Sequence, residues 1–283
     1  MVELQAGPLL CRIEPELGGC VSALLLDGEP VLRVPAAPLA SARQAASYPL
    51  VPFSNRIGHA TLQWEGTLYP LVRNNGDDAH AIHGIGWQRR WDVLESTRDF
   101  AMLSFEHRGD ASWPFAFDAS QTFRVTPHSI EFTLSLTNQS GGSAPAGLGW
   151  HPFFVKRADA HIAFRATGRW EMGTDKLPTQ RNASRGLDTD CAVLDIDHCF
   201  DGWDGVATLR DSQFTVRVES NQSRLVVFTN PARDHVAIEP VSHVNNAMAL
   251  VRQGIDAQQL GLATLGPGES LSAQMTIHVE RSA

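Results

Sequence analysis

The chain has 283 residues, 43% of them hydrophobic and 19% charged, with 23 glycines and 16 prolines. That composition supplies a packed core and many turns, and it excludes disorder, collagen and coiled coil. A formal charge of −8, spread along the chain, repels phosphate backbones, so nucleic acid is not expected as a partner.

The first residues, Met1-Val-Glu-Leu-Gln-Ala-Gly7, carry an acid where a secretory signal carries Lys or Arg, and no apolar stretch follows. No window approaches about 18 uninterrupted apolar residues, so no membrane span is expected and a cytoplasmic protein is. The four cysteines, Cys11, Cys20, Cys191 and Cys199, stand in no CxxC pair and are expected as reduced thiols. Helical periodicity first shows at Ala40 to Ser47. His80-Ala-Ile-His83 sets two imidazoles three residues apart, a spacing that would suit a shared ion on a helix. Glycines on both sides give loop chemistry instead, and no Cys or carboxylate set completes a tetrahedral site, so no metal is expected.

Strand-type alternation dominates the rest. In the segment from Ile130 to Thr137, Ile130, Phe132, Leu134 and Leu136 point one way and Glu131, Thr133, Ser135 and Thr137 the other. Next comes His151, in the aromatic run Gly149-Trp-His-Pro-Phe-Phe154, where Pro152 favours extended backbone and ends ladder pairing. An imidazole walled by Trp150, Phe153 and Phe154 has its pKa lowered by desolvation and can act as acid or base near neutrality, though one packed, satisfied histidine would read the same way. Asp201-Gly-Trp-Asp-Gly205 lacks the oxygen ligands of a calcium loop and reads as a turn. Period two returns from Phe214 to Glu219. Glu239 then follows the apolar run Val236-Ala-Ile238 and precedes Pro240; a carboxylate at the end of a buried strand is either a base with a raised pKa or the partner of an arginine such as Arg233. Val244 to Gln253 is the second helical candidate, closed by Gly254, and Leu271 to Val279 is a last alternating strand. Many short strands between Gly and Pro turns read as an antiparallel sandwich or barrel, and the absence of repeats and linkers reads as one domain over residues 1–283. No GxSxG, P-loop or GxGxxG stands in the sequence, which removes support for hydrolase, kinase and dehydrogenase readings.

In order along the chain stand Asn55-Arg-Ile57, Ile82-His-Gly84, Gly149-Trp-His-Pro-Phe153, Asp197-His-Cys-Phe200, Ile238-Glu-Pro240 and Leu265-Gly-Pro-Gly-Glu269. Together they resemble the aldose 1-epimerase (mutarotase) family over most of the chain. The resemblance implies an all-β fold, a large antiparallel β-sandwich with a cofactor-free active site on its concave face, and interconversion of the α and β anomers of an aldose. Position by position, it implies His151 as general acid and Glu239 as general base, with Arg56, His83 and Asp197 holding sugar hydroxyls and the ring oxygen. Ring opening needs one proton removed and one delivered at the same carbon, so an acid and a base on opposite sides of it would suffice. The chain departs from the family at Val244-Asn-Asn-Ala247, where relatives often carry Pro-Asp-Ala, at the expected rim of the site.

Within that resemblance Trp87 and Trp203 are candidates to stack on a sugar face, against ordinary core packing. Arg89 and Arg90 are candidates to grip a phosphate or sulfonate on the sugar, against a solvated basic turn. The substrate expected is thus a neutral aldose, with a phosphorylated or sulfonated hexose as the alternative, and a sugar-binding protein without turnover as a third reading.

Overall fold

Alternating burial decides where the strands lie. The computed structural model describes residues 1–35 and 38–282. Three strands read from the sequence lie side by side in a nine-stranded antiparallel sheet: Ser129–Asn138 pairs with Ser270–Arg281, which pairs with Phe214–Ser220. Their inward residues are in register, Ile130 opposite Ile277, Phe132 opposite Met275 and Val216 opposite Val279, so the sheet presents one continuous apolar face.

An eight-stranded sheet faces it. Its order runs from Pro178–Ala183 through Gly168–Met172, Ile196–Asp201, Arg224–Thr229, His235–Val241 and Gly149–Trp150 to Pro49–Leu50, with Phe153–Val155 also paired to His235–Val241. Contacts such as Phe132 against Trp150, 6.2 Å between ring centroids, join the two inner faces. A four-stranded sheet, Val2–Ala6, Leu9–Glu14, Cys20–Leu26 and Glu29–Pro30, extends the same core, whose buried apolar cluster runs from Leu4 to Val279. The all-β sandwich is therefore the fold. Among the described residues no helix is long and apolar enough to cross a membrane.

The two helical expectations part company. Ala40 to Ser47 yields only a 3-10 turn, Ala42–Gln44, because Ala46 and Ser47 donate to the Val21 carbonyl at 2.9 and 3.1 Å and Ala46 accepts from Phe153 at 2.9 Å. Backbone groups bonded to strand neighbours cannot close an α-helix. The second expectation holds as the α-helix Ala247–Arg252, with Gly254 beyond it at φ 93°. It starts later than Val244, whose N–H is held by the Leu260 carbonyl at 2.9 Å.

Ile277 sits on the central strand of the inner face with no exposed surface, and Gln274 on the outer face of the same strand is exposed. Ile277→Ala is expected to cost about 2–5 kcal/mol of unfolding free energy and Gln274→Ala within about 0.5, measured by urea denaturation; equal costs would refute this assignment of faces.

Candidate active site

Register in the eight-stranded sheet gathers one half of the site. Phe153 is opposite Ala237, Ala237 opposite Phe228, and Phe228 opposite Asp197. Residues opposite one another share a face, as do residues two apart along a strand, so Phe153, Asp197, Phe228, His235 and Glu239 all project to the same side. The other half comes from loops and short strands. Arg56 pairs with Ile82 in a two-stranded ladder, and His151 follows the strand Gly149–Trp150, its N–H bound to the Tyr48 carbonyl at 3.0 Å.

All five residues singled out from the sequence, Arg56, His83, His151, Asp197 and Glu239, line a single cavity of about 290 Å³, at the lower end of the range for small-molecule sites. Within it His151 and Glu239 touch, Nε2 to Oε1 at 3.2 Å, with both side chains buried. The two are side by side and not on opposite sides of a ring-sized gap. The carboxyl of Glu239 faces His151; Arg233 lines the cavity elsewhere and makes no ion pair with it.

The imidazole of His151 is clasped by rings. Tyr48 stacks on it at 4.9 Å, Phe153 lies at 4.3 Å, and His83 meets it edge-on at 5.2 Å. Burial holds His151 well below the ordinary histidine range, and the nearby Arg33 and Arg43 guanidinium groups add to this. Burial pushes Glu239 well above the ordinary carboxylate range, reinforced by the charge of Asp197 and opposed by Arg56. His151 Nδ1 and Glu239 Oε2 have no hydrogen-bond partner among the described residues, an arrangement typical of groups that await a ligand.

His83 has its tautomer assigned by the backbone. Its Nδ1 accepts the Asn55 N–H at 3.2 Å while its own N–H donates to the Asn55 carbonyl at 2.8 Å, so in the neutral ring the proton is on Nε2. Asn55 and His83 both hold left-handed backbone, φ 51° and 61°, a region in which Asn and His are enriched. Gly84 explains the His-Gly pair: a Cβ there would lie 2.0 Å from the Val51 carbonyl oxygen. Arg56 is braced by Asp78, Nε to Oδ2 at 3.6 Å, and by Asn55. The Val244-Asn-Asn-Ala247 segment lies behind it, not on the rim: Asn246 donates its N–H to the Arg56 carbonyl and accepts from Gly58, both at 3.0 Å.

Other candidates stand apart. Both ring nitrogens of His80 are engaged by backbone, Nδ1 by the His59 N–H at 2.8 Å and Nε2 by the Asp175 carbonyl at 2.9 Å. Arg89 pairs with Asp110 at 3.2 Å, and Arg90 lies near Glu16 and Asp92; neither lines the cavity, so neither can hold an anionic group there. Trp87 and Trp203 are buried core residues outside the cavity lining, and the aromatic walls are Tyr48, Phe153 and Phe228.

Two positions carry no signal in sequence spacing. Tyr48, one of two tyrosines, is placed against His151 only by sheet pairing. His243 is buried beneath the Ser54–Arg56 loop, its Nε2 accepting the Ser54 N–H at 3.1 Å and its Nδ1–H donating to the Val244 carbonyl at 2.8 Å.

The aldose 1-epimerase family profile matches residues 2–278. The chain belongs to the aldose 1-epimerase family. It is 30% identical over 282 residues to the uncharacterized protein YphB of Escherichia coli (strain K12), covering 93% of each chain. A crystal structure of an Escherichia coli K12 protein superposes with a TM-score of 0.88 at 27% identity, covering 99% of each chain. That of a galactose mutarotase-like protein from Clostridium acetobutylicum gives a TM-score of 0.87 at 20% identity, covering 99% of this chain and 95% of that one, a likeness of fold.

Burial lowers His243 from 6.5 to about 4. Folding thus favours its neutral form, so stability is full above pH 6.5 and is lost as pH falls toward 4. Between pH 7 and 5 this residue alone is expected to account for about 2 kcal/mol. Urea denaturation of His243→Gln should show a pH dependence smaller by that amount; an unchanged slope would remove His243 from the account.

Proposed function

We propose that the protein is an aldose 1-epimerase, an isomerase that interconverts the α and β anomers of an aldose by acid–base opening and closing of the ring. The observation that carries this reading is the buried contact between His151 and Glu239 inside a cavity that Arg56, His83 and Asp197 also line. The two oxygens that exchange protons in ring opening, the C1 hydroxyl and the ring oxygen, are bonded to one carbon. An acid and a base side by side reach both, and this replaces the expectation that the pair straddles the carbon.

The pair carries one proton between two groups. Burial favours the uncharged arrangement, with the proton on Glu239 and His151 neutral. Transfer across the 3.2 Å contact leaves a carboxylate base beside an imidazolium acid with no change in total charge. Glu239 then takes the proton of the C1 hydroxyl, the C1–O5 bond breaks with its electron pair going to O5, and O5 takes the proton from His151. Rotation about C1–C2 and the reverse transfers close the other anomer. His83 offers its Nε2–H to a sugar oxygen, Arg56 offers a fork of donors, and Asp197 accepts hydroxyls, a set suited to a polyol. The four buried free thiols suit a reducing compartment, and we place the protein in the cytoplasm.

Glu239→Gln and His151→Asn are each expected to lower kcat for anomer exchange at least about 100-fold with circular dichroism unchanged. The assay is two-dimensional NMR exchange on an aldose, above its spontaneous rate; unaltered exchange in either variant would defeat the mechanism.

Competence requires a single proton on the pair, so kcat/KM should be bell-shaped in pH. The acid limb lies below the ordinary histidine range, since burial disfavours the second proton, and the alkaline limb above the ordinary carboxylate range. Both limbs belong to the coupled pair. A profile governed by one unperturbed histidine would contradict this assignment.

A further inference from the structure

The charge of the cavity is opposite to that of the protein. Against a chain total of −8, its lining holds Arg33, Arg43, Arg56, Lys176 and Arg233 with only three carboxylates, Asp78, Asp197 and Glu239. Two of those carboxylates belong to the Arg56 and Glu239 end: Asp78 braces Arg56, and Asp197 acts on Glu239. The other end is cationic. Arg33 and Arg43 are the charges that act most on His151, and Arg33, Arg43 and Arg233 make no ion pair among the described residues.

Arg33 and Arg43 are held in place. Arg33 lies 3.5 Å over the Phe153 ring and gives Nε to the Ala45 carbonyl at 3.1 Å and Nη2 to the Arg43 carbonyl at 2.8 Å, which leaves Nη1 and one N–H of Nη2 without a partner among the described residues. Arg43 donates to Asn75 Oδ1 and lies toward the Trp87 ring. Arg233 is exposed at the mouth, 5.5 Å from the Phe228 ring, with no acceptor for its guanidinium among the described residues. Asp234 acts on Arg33 from the surface, where its side chain is 91% exposed and bound to His235. Arg33 is thus positioned by backbone carbonyls and an aromatic face and Arg43 by an amide oxygen, neither by a carboxylate, which suits them to an oxyanion.

We infer that the substrate is an aldose bearing an anionic group at its terminal carbon, and that Arg33, Arg43 and Arg233 receive that group. The inference rests on the proposed function, which puts the ring oxygen at His151 and the C1 hydroxyl at Glu239. In a hexopyranose C6 is attached to C5, the other neighbour of the ring oxygen. A sugar docked that way turns C2 and its hydroxyl toward Asp197 and C6 toward the side of His151 where Arg33 and Arg43 lie. Phosphate, sulfonate and carboxylate share the oxyanion chemistry this seat recognises, and the sequence-based choice of Arg89 and Arg90 for that duty is replaced by these three.

The test compares glucose, glucose 6-phosphate, 6-deoxy-6-sulfoglucose and glucuronate by NMR anomer exchange on the full chain, with calorimetric binding of the same four sugars. At least one anionic sugar is expected to exceed glucose in kcat/KM by tenfold or more. Arg233→Glu and Arg43→Gln are each expected to reduce that ratio at least tenfold, and the ratio should fall with added salt. The relative values among the three anions identify which oxyanion is meant. Glucose turned over as well as every anion, or a ratio unmoved by both variants, overturns the inference. If no sugar is turned over, the mutarotase reading falls, and binding decides the seat alone: tenfold tighter binding of an anionic sugar than of glucose upholds it, and equal or absent binding of all four rejects it.

Discussion

A carboxyl and an imidazole pressed together in a buried cavity govern this structure. Water would solvate each ion separately and give each its ordinary pKa. Without it, burial drives Glu239 upward and His151 downward until they compete for a single proton. In the proposed mechanism that competition makes the pair an acid and a base at once, and the neighbouring strand and rings hold the two groups in contact. Tyr48 and Phe153 pack on the imidazole, and the strand His235–Val241, buried along its length, buries the carboxylate.

The sandwich supplies rigidity where the chemistry requires fixed geometry. Glu239 and Asp197 are on strands separated by one other in the eight-stranded sheet, so their spacing is set by ladder hydrogen bonds and does not depend on side-chain packing alone. The loops that bring Arg56 and His83 have a two-residue pairing and the single bridge between Val51 and Gly84 in place of such a ladder. They are held by discrete devices: reciprocal bonds between Asn55 and His83, the neutral imidazole of His243 beneath Ser54, Asn246 behind Arg56, and a glycine where a Cβ would strike the Val51 carbonyl. Strained backbone at Asn55 and His83 is tolerated because these contacts over-determine it.

Electrostatics divides the cavity along its length. Asp197 and Arg56 act on Glu239, whereas Arg33 and Arg43 act on His151, so the two members of the pair meet different charges. The arginines also disfavour a positive charge on His151, so the proposed anionic substrate group would ease its protonation.

Much of the fold was legible in the chain because alternation is a local property: Ile130 to Thr137 and Leu271 to Val279 can be read by eye, and each is a strand with the expected face buried. The histidine and glutamate were legible for a related reason, since each stands beside a proline in an apolar run where packing alone gives no cause for it. Ala40 to Ser47 misled because helix periodicity is also local, while the carbonyl of Val21 that draws Ala46 and Ser47 into extended backbone lies far away in sequence. Tyr48, His243, Arg33 and Arg43 were silent for the same reason, and Arg89 and Arg90 stood out by adjacency while facing outward. The sequence by itself determined the strands, the family and the histidine and glutamate proposed as acid and base. Only the tertiary structure decided that these two touch and that arginines flank one end of them, because strand register and loop bracing bring together residues whose separation along the chain carries no information about distance.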